Sequence, residues 1–255
     1  MIKVRDTKFL LIAFIIYTYS SFAVECYSQQ QDESAYSSSN LYLGFDLQTK
    51  YVWRGMEIMT KDSSPVIFPT ISYSNSHIYA YIMGGYALNG LHSEVDCGIS
   101  YTYKSLTIGI NDYYYPSIES PTDQLFNLRN ASTGHWLEGV ITIMPEKIPW
   151  YLTISNFFYG ADKNLEGRQA YSTYAEVGYF YNFSANRRLS LTMGASLNNS
   201  CYNGYKHGGG ICNIEFKYTR ILQLSKDLTF PLSVAYILNP TREKSFINLT
   251  TSIIL

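Results

Sequence analysis

Hydrophobic and polar residues alternate along most of this chain. In residues 40–54, NLYLGFDLQTKYVWR, one parity holds Leu41, Leu43, Phe45, Leu47, Thr49, Tyr51 and Trp53 and carries no charge. The other parity holds Asp46, Gln48, Lys50 and Arg54. A period of two marks a strand whose two faces meet different surroundings. The same rhythm predicts twelve strands, over about 40–54, 65–75, 77–88, 91–104, 105–115, 134–144, 149–159, 169–183, 187–201, 210–221, 228–238 and 244–255. The apolar stripes of several of them contain no charge: Val95, Cys97 and Ile99, for example, or Leu189, Leu191 and Met193. The connections alternate between short, such as 75–77, 104–105 and 184–188, and long, such as 55–64, 116–133, 160–168 and 202–209.

Alternation also suits a soluble β-sandwich. Strand length argues against one, because globular strands average about 5–6 residues and a membrane strand needs about 9–11. Aromatic residues collect at both ends of the apolar stripes, as at a headgroup layer. The expectation is an all-β fold, a transmembrane antiparallel β-barrel of about twelve strands, with short turns on the inner rim and long loops outside. The last strand reaches the chain terminus, as closure requires, and ends in SIIL rather than in the usual aromatic residue.

Composition sharpens this picture. Tyr occurs 25 times, with 13 Phe and 3 Trp, and mean hydropathy is −0.09. That is too polar for membrane helices and suits a barrel whose apolar residues are diluted by lumen residues. With 19 basic and 20 acidic residues, the chain has no basic excess to suggest nucleic acid. Residues 1–23 combine Lys3, Arg5 and Lys8 with the apolar run 9–17 and small residues at 21 and 23. They predict a cleaved secretory signal peptide. Residues 24–39 predict a flexible polar segment and residues 40–255 the barrel. Export implies the bacterial outer membrane, with outer-membrane lipid and the barrel-assembly machinery as partners.

Nucleotide and redox motifs are absent, and His77, His92, His135 and His207 stand singly without metal-ligand spacing. No cofactor, metal or catalytic centre is expected. The polar parity does hold a constellation: Asp46, Lys50, Arg54, Glu94, Asp96, Lys104, Glu138, Glu176, Glu215 and Lys217. These could guide small polar solutes through a narrow pore or lock a closed barrel, and twelve strands allow either. Large residues on the lumen parity, including Tyr42, Tyr79, Tyr81, Tyr174 and Phe180, favour obstruction. Arg54, at the outer mouth, could attract carboxylate or phosphate solutes; the favoured expectation is that it pairs with a mouth carboxylate such as Glu57 or Asp112 and pins the loop. Cys201 and Cys212 flank one loop and both fall on the parity of their strands' apolar faces, so a bridge and free thiols both remain open. Three functions follow: a narrow porin for small polar solutes, a non-conducting structural or surface-interaction barrel, and, least favoured, a phospholipase-like barrel using His135.

The segments YVWRGMEIMTKDSSPVIFPTISYS (51–74), IYAYIMGGYAL (78–88) and SEVDCGISYTYKSLTIGINDYYYP (93–116) carry a resemblance. The chain resembles the TorF-like porin family, also called Gcw_chp, over about residues 41–118. Matching positions are Tyr51, Val52, Trp53, Arg54 and Gly55, Pro65, Glu94 and Asp96, and Tyr114, Tyr115 and Pro116. The resemblance implies an outer-membrane location and a barrel fold more than a chemistry. It gives the Arg–Gly step a fold role.

Overall fold

The computed structural model describes residues 40–59, 63–116, 124–206, 208–223 and 229–254. The expected signal peptide and polar segment over 1–39, as well as His207 and Leu255, lie outside the described residues. The strands are β1 (Asn40–Gln48), a short hairpin of β2 (Val52–Trp53) and β3 (Met56–Glu57), then β4 (Val66–Ser74), β5 (Ile78–Ala87), β6 (Ser93–Tyr103), β7 (Leu106–Tyr114), β8 (His135–Ile143), β9 (Trp150–Gly160), β10 (Thr173–Ser184), β11 (Arg187–Ser196), β12 (Gly210–Gln223), β13 (Thr229–Asn239) and β14 (Lys244–Ile254). From β4 onward each strand pairs antiparallel with the next. β1 pairs with β4 on one side and with β14 on the other, which closes a barrel of twelve strands. Closure leaves no edge with unpaired backbone groups, the condition for crossing lipid with strands.

The pleat turns alternating sequence into two surfaces. Outward positions form an exposed apolar band that includes Leu43, Ile82, Ile99, Ile110, Ile141, Leu191, Val234 and Leu249. Tyr101, Tyr103, Tyr179 and Tyr181 stand exposed near the short turns, and Tyr86 and Tyr236 near the long loops. A water-soluble protein rarely exposes so continuous an apolar surface. Such a surface suits a lipid surrounding, with the rings at the level of a headgroup layer. Ile110 sits midway along β7, opposite Ile99 and Gly139, and is 51% exposed. In a bilayer, Ile110→Lys should lower stability by about 2–4 kcal/mol, read from reversible urea unfolding in lipid vesicles. An unchanged midpoint would mean that water bathes this face.

The inner surface is polar and aromatic together. Asp46, Glu94, Asp96, Glu138 and Lys217 are buried there, among Tyr79, Tyr81, Tyr113, Tyr151, Tyr174 and Phe180. The first strand departs from expectation. It ends at Gln48 and not at Arg54, because the ladder stops at Thr49, whose N–H donates to the Leu249 carbonyl. The next amide, of Lys50, donates instead to the Asn248 side chain at 3.1 Å. The chain then turns into the lumen. Tyr51 is therefore buried inside the barrel and Trp53 packs against interior clusters, although their parity in the sequence pointed outward.

Candidate functional site

Residues 49–59 form a strap across the lumen. Its tip is the β2–β3 hairpin, in which Val52 faces Glu57 and Trp53 faces Met56, leaving Arg54-Gly55 as a two-residue turn. Both turn residues have positive φ, 48° and 75°, as the tightest hairpin connections demand. Glycine takes this conformation freely, whereas arginine does so at a cost of order 1–3 kcal/mol. That strain must be offset by contacts, and the lumen supplies them.

The Arg54 guanidinium forms a two-pronged ion pair with Glu138 of β8, one prong at 3.3 Å. It also donates to the Tyr202 hydroxyl at 2.6 Å. Its central carbon lies 4.4 Å from the Trp53 ring centroid and 4.8 Å from that of Tyr174, within cation–π range. Glu138 is fully buried. It accepts further hydrogen bonds from the Tyr113 hydroxyl at 2.9 Å and the Asn111 amide at 3.4 Å. A buried carboxylate is tolerated when its oxygens are satisfied and its charge is paired, and both hold here. Tyr202 comes from a 3-10 turn, Cys201–Asn203, in the β11–β12 loop. Burial pushes its hydroxyl well above the ordinary tyrosine range, so it faces the pair as a neutral phenol.

The turn is also clamped through its backbone. The Asn239 amide of β13 donates to the Gly55 carbonyl at 2.9 Å. A Cβ built on Gly55 would lie 1.9 Å from the Cys212 carbonyl oxygen, so the two backbones touch where only glycine fits. A bulge in β12 makes this approach: Gly194 pairs with Asn213 and Ala195 with Ile211, which leaves Cys212 as the extra residue. At the near end of the strap, Lys50 pairs with Glu57 at 3.0 Å.

Several sequence expectations need correcting. Arg54 is not at the outer mouth and does not pair with Glu57 or Asp112. Glu57 is taken by Lys50. Asp112 lies on the outward parity of β7 and meets His135 at 2.7 Å. Lys104 is not a lumen residue: it sits exposed in the β6–β7 turn with φ 53°, its ammonium 5.2 Å from the Tyr103 ring. Cys201 and Cys212 are free thiols and not a bridge. The bulge turns Cys212 inward, to full burial, while Cys201 sits in the loop turn. Burial pushes the Cys201 thiol up to about 12, so it stays protonated at neutral pH. His135 stands on the outer side near the long-loop rim. Its second ring nitrogen lies 2.7 Å from the Leu125 carbonyl oxygen, so both nitrogens are engaged and neither is placed to activate a nucleophile.

Asp46, Glu94, Asp96, Glu138, Glu176, Glu215 and Lys217 do fall on inward positions of their strands. Most of them border a cavity of about 150 Å³ beside the strap, ringed by Tyr51, Trp53, Arg54, Tyr151 and Tyr174. Glu176 accepts hydrogen bonds there from the Tyr151 hydroxyl, at 2.6 Å, and from that of Tyr174. The cage around Arg54, made by Trp53, Tyr113, Tyr174 and Tyr202, escaped sequence reasoning. The one available signal was the Arg-Gly pair between short apolar steps, which has the spacing of a tight hairpin.

Fold and site define a class: a closed antiparallel barrel with an apolar exterior and a polar lumen crossed by its own first loop. No family model and no curated protein matches the sequence. Among solved structures, the chain is similar to a Rhodopseudomonas blastica porin triple mutant at 7% identity, with 86% of this chain and 100% of that one covered and a TM-score of 0.36. It is similar to Salmonella typhi OmpF in complex with daunomycin at 7% identity, with 89% and 100% covered and a TM-score of 0.40. Pseudomonas aeruginosa OccK1 gives 12% identity, 79% and 59% covered, and a TM-score of 0.35.

Proposed function

We propose that this chain is a bacterial outer-membrane protein of the TorF-like porin kind, and that it passes small polar solutes through a lumen narrowed by the strap. The observation that carries this reading is the combination of an apolar outer band with a charged, hydrogen-bonded cavity beside a strap that is anchored by side chains rather than by ladder pairing. At about 30 Å³ per water, the cavity holds on the order of five water molecules. Solutes of a few heavy atoms match that scale. Barrel-assembly machinery and lipid are the expected partners.

A second reading has its own support. Tyr79, Tyr81, Tyr151 and Phe180 gather in one buried interior cluster, and this packing suits a barrel that conducts nothing and acts through its outer loops. Purified, heat-modifiable protein in a planar lipid bilayer separates the two. Discrete, small conductance steps are expected of a narrow channel. Silence from protein that is demonstrably folded and inserted would reject the channel and leave the structural barrel.

A further inference from the structure

We infer that the cavity beside the strap is a site for small monovalent cations, alkali ions and primary ammonium groups, and that the channel selects for them over anions. The inference rests on the channel reading above for its second half, while the binding site stands on its own observations.

The first observation is charge. Four carboxylates border the cavity, those of Asp46, Asp96, Glu176 and Glu215, against two cations, Arg54 and Lys217. Arg54 is already committed to Glu138, which is not among the bordering residues. The imbalance therefore remains inside the cavity, where the enclosing barrel, of lower dielectric than water, focuses its field and raises the local concentration of counter-ions. The second observation is an excess of acceptors. Asp96 is 1% exposed and Asn213 5% exposed, and each borders the cavity. No donor among the described residues reaches Asp96 Oδ1 or Asn213 Oδ1. The Asn213 orientation follows from its neighbours: its amide nitrogen faces the Glu176 carboxylate at 3.5 Å and the Tyr174 hydroxyl at 3.3 Å. A carboxylate only accepts, so the amide oxygen is the atom left over. These two strands lie on opposite walls, β6 and β12 being half the barrel apart.

Buried acceptors without donors favour a ligand that brings donors or positive charge. Among the described residues, no group of three His, Cys, Asp or Glu side chains could hold a metal ion. Chelation of a divalent metal is therefore not the chemistry on offer. An ammonium group, or an alkali ion keeping part of its water shell, needs only scattered oxygens and the local field.

The test uses full-length mature protein. In planar bilayers under a KCl gradient, reversal potentials should give K⁺ a permeability about tenfold that of Cl⁻, with NH₄⁺ at least equal to K⁺. Asp96→Asn, and Asp96→Asn combined with Glu215→Gln, should reduce that ratio stepwise, with heat-modifiability confirming the fold. Separately, methylammonium chloride added to the detergent-solubilised protein should change the fluorescence of Trp53, which borders the cavity. The response should saturate, should exceed that to tetramethylammonium at equal ionic strength, and should disappear in Trp53→Phe. In Asp96→Asn it should weaken severalfold. Steps with a ratio near one, or favouring Cl⁻, would overturn cation selection while leaving the channel standing. A silent bilayer would overturn the channel, and the fluorescence titration would then decide the site alone: saturation supports it, and a flat response rejects it.

Discussion

Replacing Arg54 with alanine should free the strap and, in the proposed channel, raise single-channel conductance severalfold, while the barrel itself stays folded. The expectation follows from how the strap is held. Its two short strands pair only with each other, so no ladder bond ties the tip to the wall. What holds it is chiefly the ion pair of Arg54 with Glu138, whose side chains are 8% and 0% exposed, together with the aromatic cage and the Asn239 bond to the Gly55 carbonyl. Removing one partner of such a pair leaves the other charge buried and unanswered, a loss of about 3–5 kcal/mol. Here the barrel need not bear that loss, because the strap can swing out and let water reach Glu138. Glu138→Gln should give the same phenotype in smaller degree, since Tyr113 and Asn111 still bind the amide. Arg54→Lys should lie near alanine, for a lysine keeps the charge but loses the fork and much of the ring stacking. The double substitution Arg54→Ala with Glu138→Gln should differ little from Arg54→Ala alone. Additive effects on open probability would show that the two residues act apart.

Substituting Gly55 by valine should open the lumen as strongly, by a route that changes no charge. The new Cβ would sit 1.9 Å from the Cys212 carbonyl oxygen, on a backbone with φ of 75°. Backbone atoms on a closed barrel cannot step aside, and a β-branched side chain is a poor tenant of that conformation. The hairpin therefore has to leave its seat and give up the bond from Asn239 as well. Gly55→Ala meets the same contact and should behave similarly, while Gly167→Ala, in an exposed loop with nothing within 4 Å of the added atom, serves as the control for positive φ alone. Wild-type conductance in Gly55→Val would mean that the strap is not what narrows the lumen.

Both predictions concern a feature that was only half legible in the chain. Arg54 and Glu138 each stand out as charges on the polar parity, and Gly55 as a residue able to bend the backbone. Their meeting depends on which wall faces which, 84 residues apart, and no local pattern encodes that. Tyr51 and Trp53 show the same limit. Alternation declares them apolar, yet it cannot tell lipid outside from an aromatic cluster inside. Cys212 was misplaced because one bulged residue reverses the parity of its neighbours. Lys104 was misplaced because a turn residue inherits no face at all.

By itself, the amino-acid sequence determined the number and order of the barrel strands, the alternation of short and long connections, and, along most of each barrel strand, which side is greasy. These are properties of neighbouring residues, set by a two-residue period and by where turn-forming residues interrupt it. Only the tertiary structure decided that the first loop folds into the barrel, that its arginine finds a carboxylate on the far wall, and that a bulged backbone makes room for its glycine. Those outcomes depend on closure and register, which bring together residues far apart in the chain.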